Sequence, residues 1–350
     1  MAAQPQATWL ERKYDFGVFK EQDGKVTCQL RVVNTGTDSL IIVKAQAGCG
    51  CTAVTFPNEA ILPGDTATVG MTYNPSGRLG QFTKQAIIFT NTVPNRTILE
   101  ISGNVIPTSA TLDKQYPVSA GNLHISKQIM PMGEITRGNS KSQYLSAYNA
   151  STDTLVVDVL GGNEHIHPAV VPDTVLPAQV TALTVHYLSG YAPQWGLNTD
   201  TLTLTCHPLR QHSPAAVDTA VVLVMAQVVE SFSNLTDEQL AKAPVVGVDC
   251  GDRLDFGTVT PGQVETRTFT ITNKGKNPLI IRRLWAPNGE GITAQARKSE
   301  LKRGKSTTVT VKVDTSRQQG ETLNVPLTLM TNDPTTPRLT IRLVGFIDNQ

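Results

Sequence analysis

The chain has 350 residues, 39% of them hydrophobic and 17% charged, with 30 basic side chains against 29 acidic ones. That length is a prior for two or three domains, and a formal charge of +1 leaves no global field to draw in nucleic acid or an anionic membrane. No apolar run approaches the roughly 20 residues that a membrane-spanning helix needs, so no membrane-spanning segment is expected.

Taken from the start, Met1-Ala2-Ala3-Gln4-Pro5 fits either the small-residue tail of a cleaved signal peptide or a plain start codon with added residues, and the first is favoured. An exported chain is expected, periplasmic or associated with the outer membrane, with its signal peptide removed. The next landmark is Asp15-Phe16-Gly17, which precedes an alternating run from Val26 to Val33 and then Asn34-Thr35-Gly36. The series returns twice, as Met132-Gly133 with Asn149-Ala150-Ser151 and as Asp255-Phe256-Gly257 with Asn273-Lys274-Gly275. Recurrence at a fixed period marks internal repeats. The Asn/Gly sites read as tight turns built from residue types that tolerate a left-handed backbone.

Apolar runs resume at Leu40-Ile41-Ile42-Val43, Leu155-Val156-Val157 and Leu279-Ile280-Ile281. They lead to Leu62-Pro63-Gly64, Leu176-Pro177-Ala178 and, more weakly matched, Lys302-Arg303-Gly304. The same number of residues separates Gly17 from Gly64 as separates Gly257 from Gly304. Strict alternation follows over Thr66 to Tyr73, Val180 to Tyr187 and Thr307 to Val313, the period of a half-buried strand. Two more strands close each unit, past Thr90-Asn91 to Gly103 and past Thr331-Asn332 to Gly345 in the outer ones. The spacing predicts an all-β protein of three tandem immunoglobulin-like β-sandwich domains, at 8–106, 112–232 and 244–348, with one short interdomain helix. That helix is expected after Thr236, with Gln239 completing a capping box and Pro244 as the stop. The first link, Pro107 to Thr111, reads as a polar tether.

The first unit carries Asp15-Phe16-Gly17, Asn34-Thr35-Gly36, Gly48-Cys49-Gly50-Cys51-Thr52, Pro63-Gly64, the run from Tyr73 to Lys84 and Thr90-Asn91. On these motifs it resembles a bacterial family of single and tandem immunoglobulin-like modules, a domain of unknown function. The third unit, with Leu254-Asp255-Phe256-Gly257 and Thr331-Asn332-Asp333-Pro334, is similar to the wider superfamily of Hydin, abnormal-spindle and major-sperm-protein domains. The middle unit keeps the strand rhythm and departs from both patterns. The resemblance implies export to the cell envelope and supplies no activity, because fold does not carry function over such distances.

Of five cysteines, at least one must stay unpaired within the chain. Counted from the Pro63 landmark, the positions of Cys49 and Cys51 are taken by Asn163 and His165 in the second unit and by Gly289 and Gly291 in the third. The sandwich therefore does not require sulfur there. Cys28 shares the inward parity of Leu30 and Val32, so a structural disulfide from Cys28 to one of the pair is the favoured reading. A strained, reducible Cys49–Cys51 bond is the second. Plain buried thiols, or two soft sulfurs on copper(I), complete the alternatives; no metal or other cofactor is expected, with Cys49 and Cys51 the candidates should one bind.

His165, His167, Cys206, His207 and His212 gather in the second unit, where loop histidines beside a core thiol are favoured over a metal site. Six Asp-Ser/Thr-apolar triplets place Ser39, Thr66, Thr154, Thr174, Thr201 and Thr219 as possible O-glycosylation acceptors. The competing reading is local: aspartate ends a turn and a β-branched residue starts a strand. Nucleophile elbow, phosphate loop, zinc-protease helix and dinucleotide fingerprint are all missing from the sequence. A non-enzymatic structural or interaction protein is expected, presenting edge strands to an unidentified protein partner in the envelope; thiol redox or copper handling at Cys49 and Cys51 is the alternative.

Overall fold

The recurring alternation becomes three pairs of stacked sheets in a computed structural model, which describes residues 4–210, 217–287, 289–318 and 320–348. Unit 1 holds β1 (Ala7–Trp9), β2 (Lys13–Lys20), β3 (Val26–Asn34), β4 (Ile42–Ala47), β5 (Thr52–Thr55), β6 (Thr66–Tyr73), β7 (Gly80–Thr90) and β8 (Arg96–Ile106). Its sheets are ordered β1-β3-β6-β5 and β2-β8-β7-β4.

Unit 2 holds β9 (Val118–Ala120), β10 (Leu123–Ile125), β11 (Ile129–Thr136), β12 (Ser140–Asn149), β13 (Leu155–Leu160), β14 (Ile166–Val171), β15 (Thr174–Val175), β16 (Val180–Leu188), β17 (Gly196–Pro208) and β18 (Asp218–Val229). They pair as β14-β16-β12-β10-β9 and β11-β18-β17-β13-β15. Unit 3 holds β19 (Val246–Val248), β20 (Arg253–Val259), β21 (Val264–Asn273), β22 (Leu279–Trp285), β23 (Ile292–Ala296), β24 (Glu300–Leu301), β25 (Ser306–Asp314), β26 (Thr322–Thr331) and β27 (Arg338–Ile347). Its sheets run β19-β21-β25-β23 and β20-β27-β26-β22-β24. The molecule is thus all-β apart from short helices, three sandwiches in a row.

One ladder per unit is parallel: β2 on β8, β11 on β18 and β20 on β27. Each slips register at the motif that opens the repeat, between Asp15 and Val18, Pro131 and Gly133, and Asp255 and Thr258. In the outer units the bulge is built by the motif itself. Asp15 Oδ1 accepts from the Gly17 amide at 3.0 Å and Asp255 Oδ1 from that of Gly257 at 2.8 Å, and both glycines have positive φ, 66° and 69°. A Cβ is disfavoured in that conformation, which is why the bulge is written Asp-x-Gly.

Alternation fills the space between sheets. Cys28, Leu30 and Val32 of β3 point inward against Val69, Met71 and Tyr73 of β6, and separate clusters of the same kind fill units 2 and 3. Each fully buried aliphatic side chain contributes about 1.5–3 kcal/mol of transfer free energy.

Asn34, Asn149 and Asn273 do not take the left-handed turn conformation expected of them; among the described non-glycine residues positive φ belongs to Ala178. They are wholly buried brackets instead. Each Nδ2 donates to the carbonyl four residues on and to that of Ile61, Val175 or Leu301, at 2.7–2.9 Å. Each Oδ1 accepts from the amide two residues on. One side chain ties the turn after the second long strand to the strand beside the Pro-Gly landmark.

The second link folds as its capping box predicts, with α2 (Asp237–Ala241) started by Thr236 and Gln239. The first link is not a plain tether. It contains α1 (Ser109–Gln115), capped by Thr108, so two short helices separate the units where one was expected. No helix among the described residues is long and apolar enough to cross a membrane.

Candidate functional site

Cys49 and Cys51 lie on the corner that carries the chain from β4, at the edge of one sheet, to β5, at the edge of the other. They are bonded to each other, with Cα atoms 5.3 Å apart, and Cys28 is a free buried thiol. The favoured bridge from Cys28 is therefore corrected. Parity gave the right face but not the strand order: β6 stands between β3 and β5, two spacings or about 9.6 Å, whereas a disulfide needs Cα atoms within about 7 Å. Burial pushes the Cys28 thiol above its ordinary pKa, keeping it protonated and inert.

The corner itself is made by backbone. The Cys51 carbonyl accepts from the Asn74 amide at 2.9 Å, as His165 does from Leu188 at 2.8 Å and Gly291 from Asp314 at 2.9 Å. Three units close the corner with the same bond, and unit 1 alone adds a disulfide. Cys49 is half-buried and Cys51 buried; the Thr52 hydroxyl lies 3.5 Å from Cys49 Sγ and 3.8 Å from Cys51 Sγ. With the sulfurs joined, no thiolate pair is offered to copper(I) in this oxidation state.

The second-unit cluster is only partly brought together. Cys206 is a core thiol, donating to the Ala120 carbonyl and pushed up to about 11 by burial, with the Asp218 charge adding to it. His165 does lie in a loop, the turn before β14, but it is buried there at 8% exposed, with Nε2 2.8 Å from Asp200 Oδ1 and its ring edge-on to Tyr187. The sequence missed this pairing because Asp200 is 35 residues away. His167 and His207 belong to β14 and β17 rather than to loops; the first is exposed and the second half-buried, and His212 lies outside the described residues. No three potential metal ligands converge among the described residues.

Of the triplet hydroxyls, Thr66, Thr174, Thr201 and Thr219 are exposed and Ser39 and Thr154 half-buried. Thr66 and Thr174 begin β6 and β15, Thr154 immediately precedes β13 and Thr219 is second in β18. Strand-start chemistry thus accounts for those four, whereas Thr201 sits in the middle of β17.

Specific side-chain hydrogen bonds also mark the junctions between units. Glu21 of unit 1 accepts from the amide of Gly77, the amide and hydroxyl of Thr108 and the hydroxyl of Thr111, all within 3.1 Å. Burial alone would raise its carboxyl, and the donors of Thr108, Gly77 and Thr111 outweigh it, leaving the pKa below the ordinary value. Leu112 and Tyr116 of α1 pack with Tyr148, Leu79 and Ala178, which explains an alanine at φ 57° where the other units have Gly64 and Gly304: its methyl fills the joint. Between units 2 and 3, Arg282 makes a bidentate pair with Glu230, at 3.1 and 2.9 Å, beneath the Trp195 ring. Arg283 donates to the carbonyls of Trp195 and Leu197 at 2.8 and 2.9 Å.

A protein of unknown function from Porphyromonas gingivalis W83 is similar in structure at 21% identity, over 65% of this chain and 100% of that one, with a TM-score of 0.48. The ASH/PapD-like domain 7 of human CEP192 matches at 14% identity over 33% of this chain and 92% of that one, TM-score 0.27. Mouse cadherin-23 EC22-24 matches at 11% identity over 99% of both chains, TM-score 0.24. No curated protein matches. The model of one protein family, described as "Protein of unknown function (DUF1573)", matches residues 7–105 and 250–347. Both outer units thus fall within a single family, the third as well as the first, and the middle unit lies between the matched segments. The two segments span more than half of the sequence, and the chain belongs to the DUF1573 family.

Proposed function

We propose that the protein is a non-enzymatic structural and interaction component of the bacterial cell envelope, a spacer that holds three sandwiches at fixed angles and offers edge strands to a protein partner. The observation that carries this reading is the construction of both junctions, where Glu21 collects four donors and Arg282 and Arg283 bind across to unit 2. Ordering polar side chains costs entropy, and a flexible linker needs none of them. A bonded Cys49–Cys51 pair fits an oxidising, extracytoplasmic compartment. One edge offered for strand addition is β4, the last strand of its sheet, on which Val43 is exposed.

The test places a photocrosslinking residue at Val43 and, as control, at exposed Thr68 on the inner strand β6, in cells of the source bacterium. A discrete envelope adduct from Val43 alone supports the reading. Recovery of the protein from the cytosol, or equal labelling from both sites, overturns it.

A second reading, thiol–disulfide exchange at Cys49 and Cys51, is favoured by one observation: the bond spans a single residue at a corner already closed by backbone. Mass spectrometry after mild reduction and alkylation tests it. Labelling of both thiols in the folded protein supports exchange, and resistance until unfolding excludes it.

A further inference from the structure

A cleft beside the opening bulge of unit 1 recurs in unit 3. In unit 1, Asp15 and Gly17 of β2, Phe82 of β7, and Gly103 and Asn104 of β8 line a cleft of about 540 Å³. Unit 3 sets Asp255 and Gly257 of β20, Leu323 of β26, and Gly345 and Phe346 of β27 around a cleft of about 400 Å³. Register makes these the same positions, since Val18 faces Asn104 across the parallel ladder as Thr258 faces Phe346.

What closes the cleft differs. In unit 1 it is walled by Leu176, Pro177 and Gln179, from the turn between β15 and β16 of unit 2. The matching place in unit 2, where Glu134 faces Gln227, is covered by Arg282, Met330 and Pro337 of unit 3. The cleft of unit 3 is lined by its own residues among those described. Phe346, 66% exposed, stands at its rim where unit 1 has Asn104. An exposed aromatic beside a concave, glycine-floored surface has the composition of an interface core.

We propose that this cleft accepts the Leu62-Pro63-Gly64-Asp65 turn of unit 1 from a second copy of the chain, joining copies head to tail. That turn is the repeat equivalent of the one closing the unit 1 cleft: Gly64 donates its amide to the Asn34 carbonyl as Ala178 does to that of Asn149. Leu62 is 56% exposed and presents the same side chain as Leu176. Asp65 stands where the inserted turn of unit 2 has Gln179, and it meets Arg253 on the wall of the unit 3 cleft, which is paired with Asp255 at 2.7 Å and keeps most of its guanidinium exposed. Turn and cleft lie on different units, so the contact is heterologous and extends into an open chain rather than a closed dimer. Without the covalent link and α1 the joint is weaker than the one inside the molecule, and assembly depends on concentration. The inference rests on the cleft and the turn and is independent of the envelope role.

Sedimentation of the full chain at concentrations up to about 1 mM tests it. The average mass is expected to rise with concentration beyond a dimer, and Leu62→Asp or Phe346→Asp to weaken association at least about tenfold. Both side chains are exposed, so unchanged thermal melting verifies that each variant is folded. Mixing the two variants is expected to give a dimer and nothing larger, because one intact turn meets one intact cleft. A monomer at every concentration, association insensitive to both substitutions, or a mixture that stays monomeric overturns the proposal.

Discussion

Asn34, Asn149 and Asn273 each satisfy one buried carbonyl, one part-buried carbonyl and one amide with a single side chain. Truncation leaves those carbonyls unpaired, at about 1–3 kcal/mol each. Asn273→Ala is therefore expected to destabilise unit 3 by about 3 kcal/mol, read as a lowered urea midpoint at unchanged slope. The asparagines are visible in the sequence as repeat markers, but their role is not, because the carbonyls of Ile61, Val175 and Leu301 lie 26 to 28 residues downstream. Cys28 misleads for a related reason: alternation reveals which face a side chain takes and says nothing of which strands intervene. The Cys49–Cys51 bond closes so short a loop that its chain-entropy effect stays below about 2 kcal/mol, against the 2–4 kcal/mol typical of long loops. Replacing both cysteines by serine is expected to lower the denaturation midpoint of unit 1 by the equivalent of about 2 kcal/mol or less. A shift equivalent to 4 kcal/mol would make the disulfide a structural staple after all.

The helices separate by whether their signals are local. α2 announces itself through Thr236 and Gln239, three residues apart, whereas α1 is anchored by Glu21, 87 residues before Thr108, and no window of sequence shows that. The strands were legible because a period of two is imposed by the pleat wherever one face is buried; the Asp-x-Gly bulges were legible because one backbone conformation excludes most residues. The α1 anchor carries a pH dependence of definite sign. Since the folded carboxyl of Glu21 is held below its ordinary value near 4.5, its contribution is fully present above that pH. It is lost as pH falls through the depressed folded value. Hydrogen-exchange protection factors across residues 108–116, which correct for the slower intrinsic rate in acid, are expected to fall on acidification below about pH 4, and those of Glu21→Gln to be lower already at neutral pH with no further acid step. An acid step that persists in the variant would assign the effect to another group.

At the scale of the whole molecule the question is whether three sandwiches behave as one body. Units 2 and 3 are coupled by few groups. Arg283 places a charge, held below its usual pKa by burial, against two carbonyls of the segment that begins β17, with its guanidinium 4.5 Å from the Trp285 ring. Arg282 lies over Trp195, as Arg137 of unit 2 does at 4.9 Å, so the indole is held between cations from both units. None of this was readable beforehand, because Arg282 and Glu230 are 52 residues apart and each resembles a solvated surface charge. Removing the Arg283 side chain strands the Trp195 carbonyl, leaves that of Leu197 with only the Gln194 amide at 3.2 Å, and empties the space against Trp285, while the cores of both units stay intact. Arg283→Ala is expected to reduce the coupling between units by about 2–4 kcal/mol. Calorimetry would then show a merged transition of units 2 and 3 resolving into two, and small-angle scattering a broader distribution of maximum dimensions. A variant that melts and scatters as the parent does would mean that the angle between the units is set by α2 and the chain between them, with the arginines only resting on the joint.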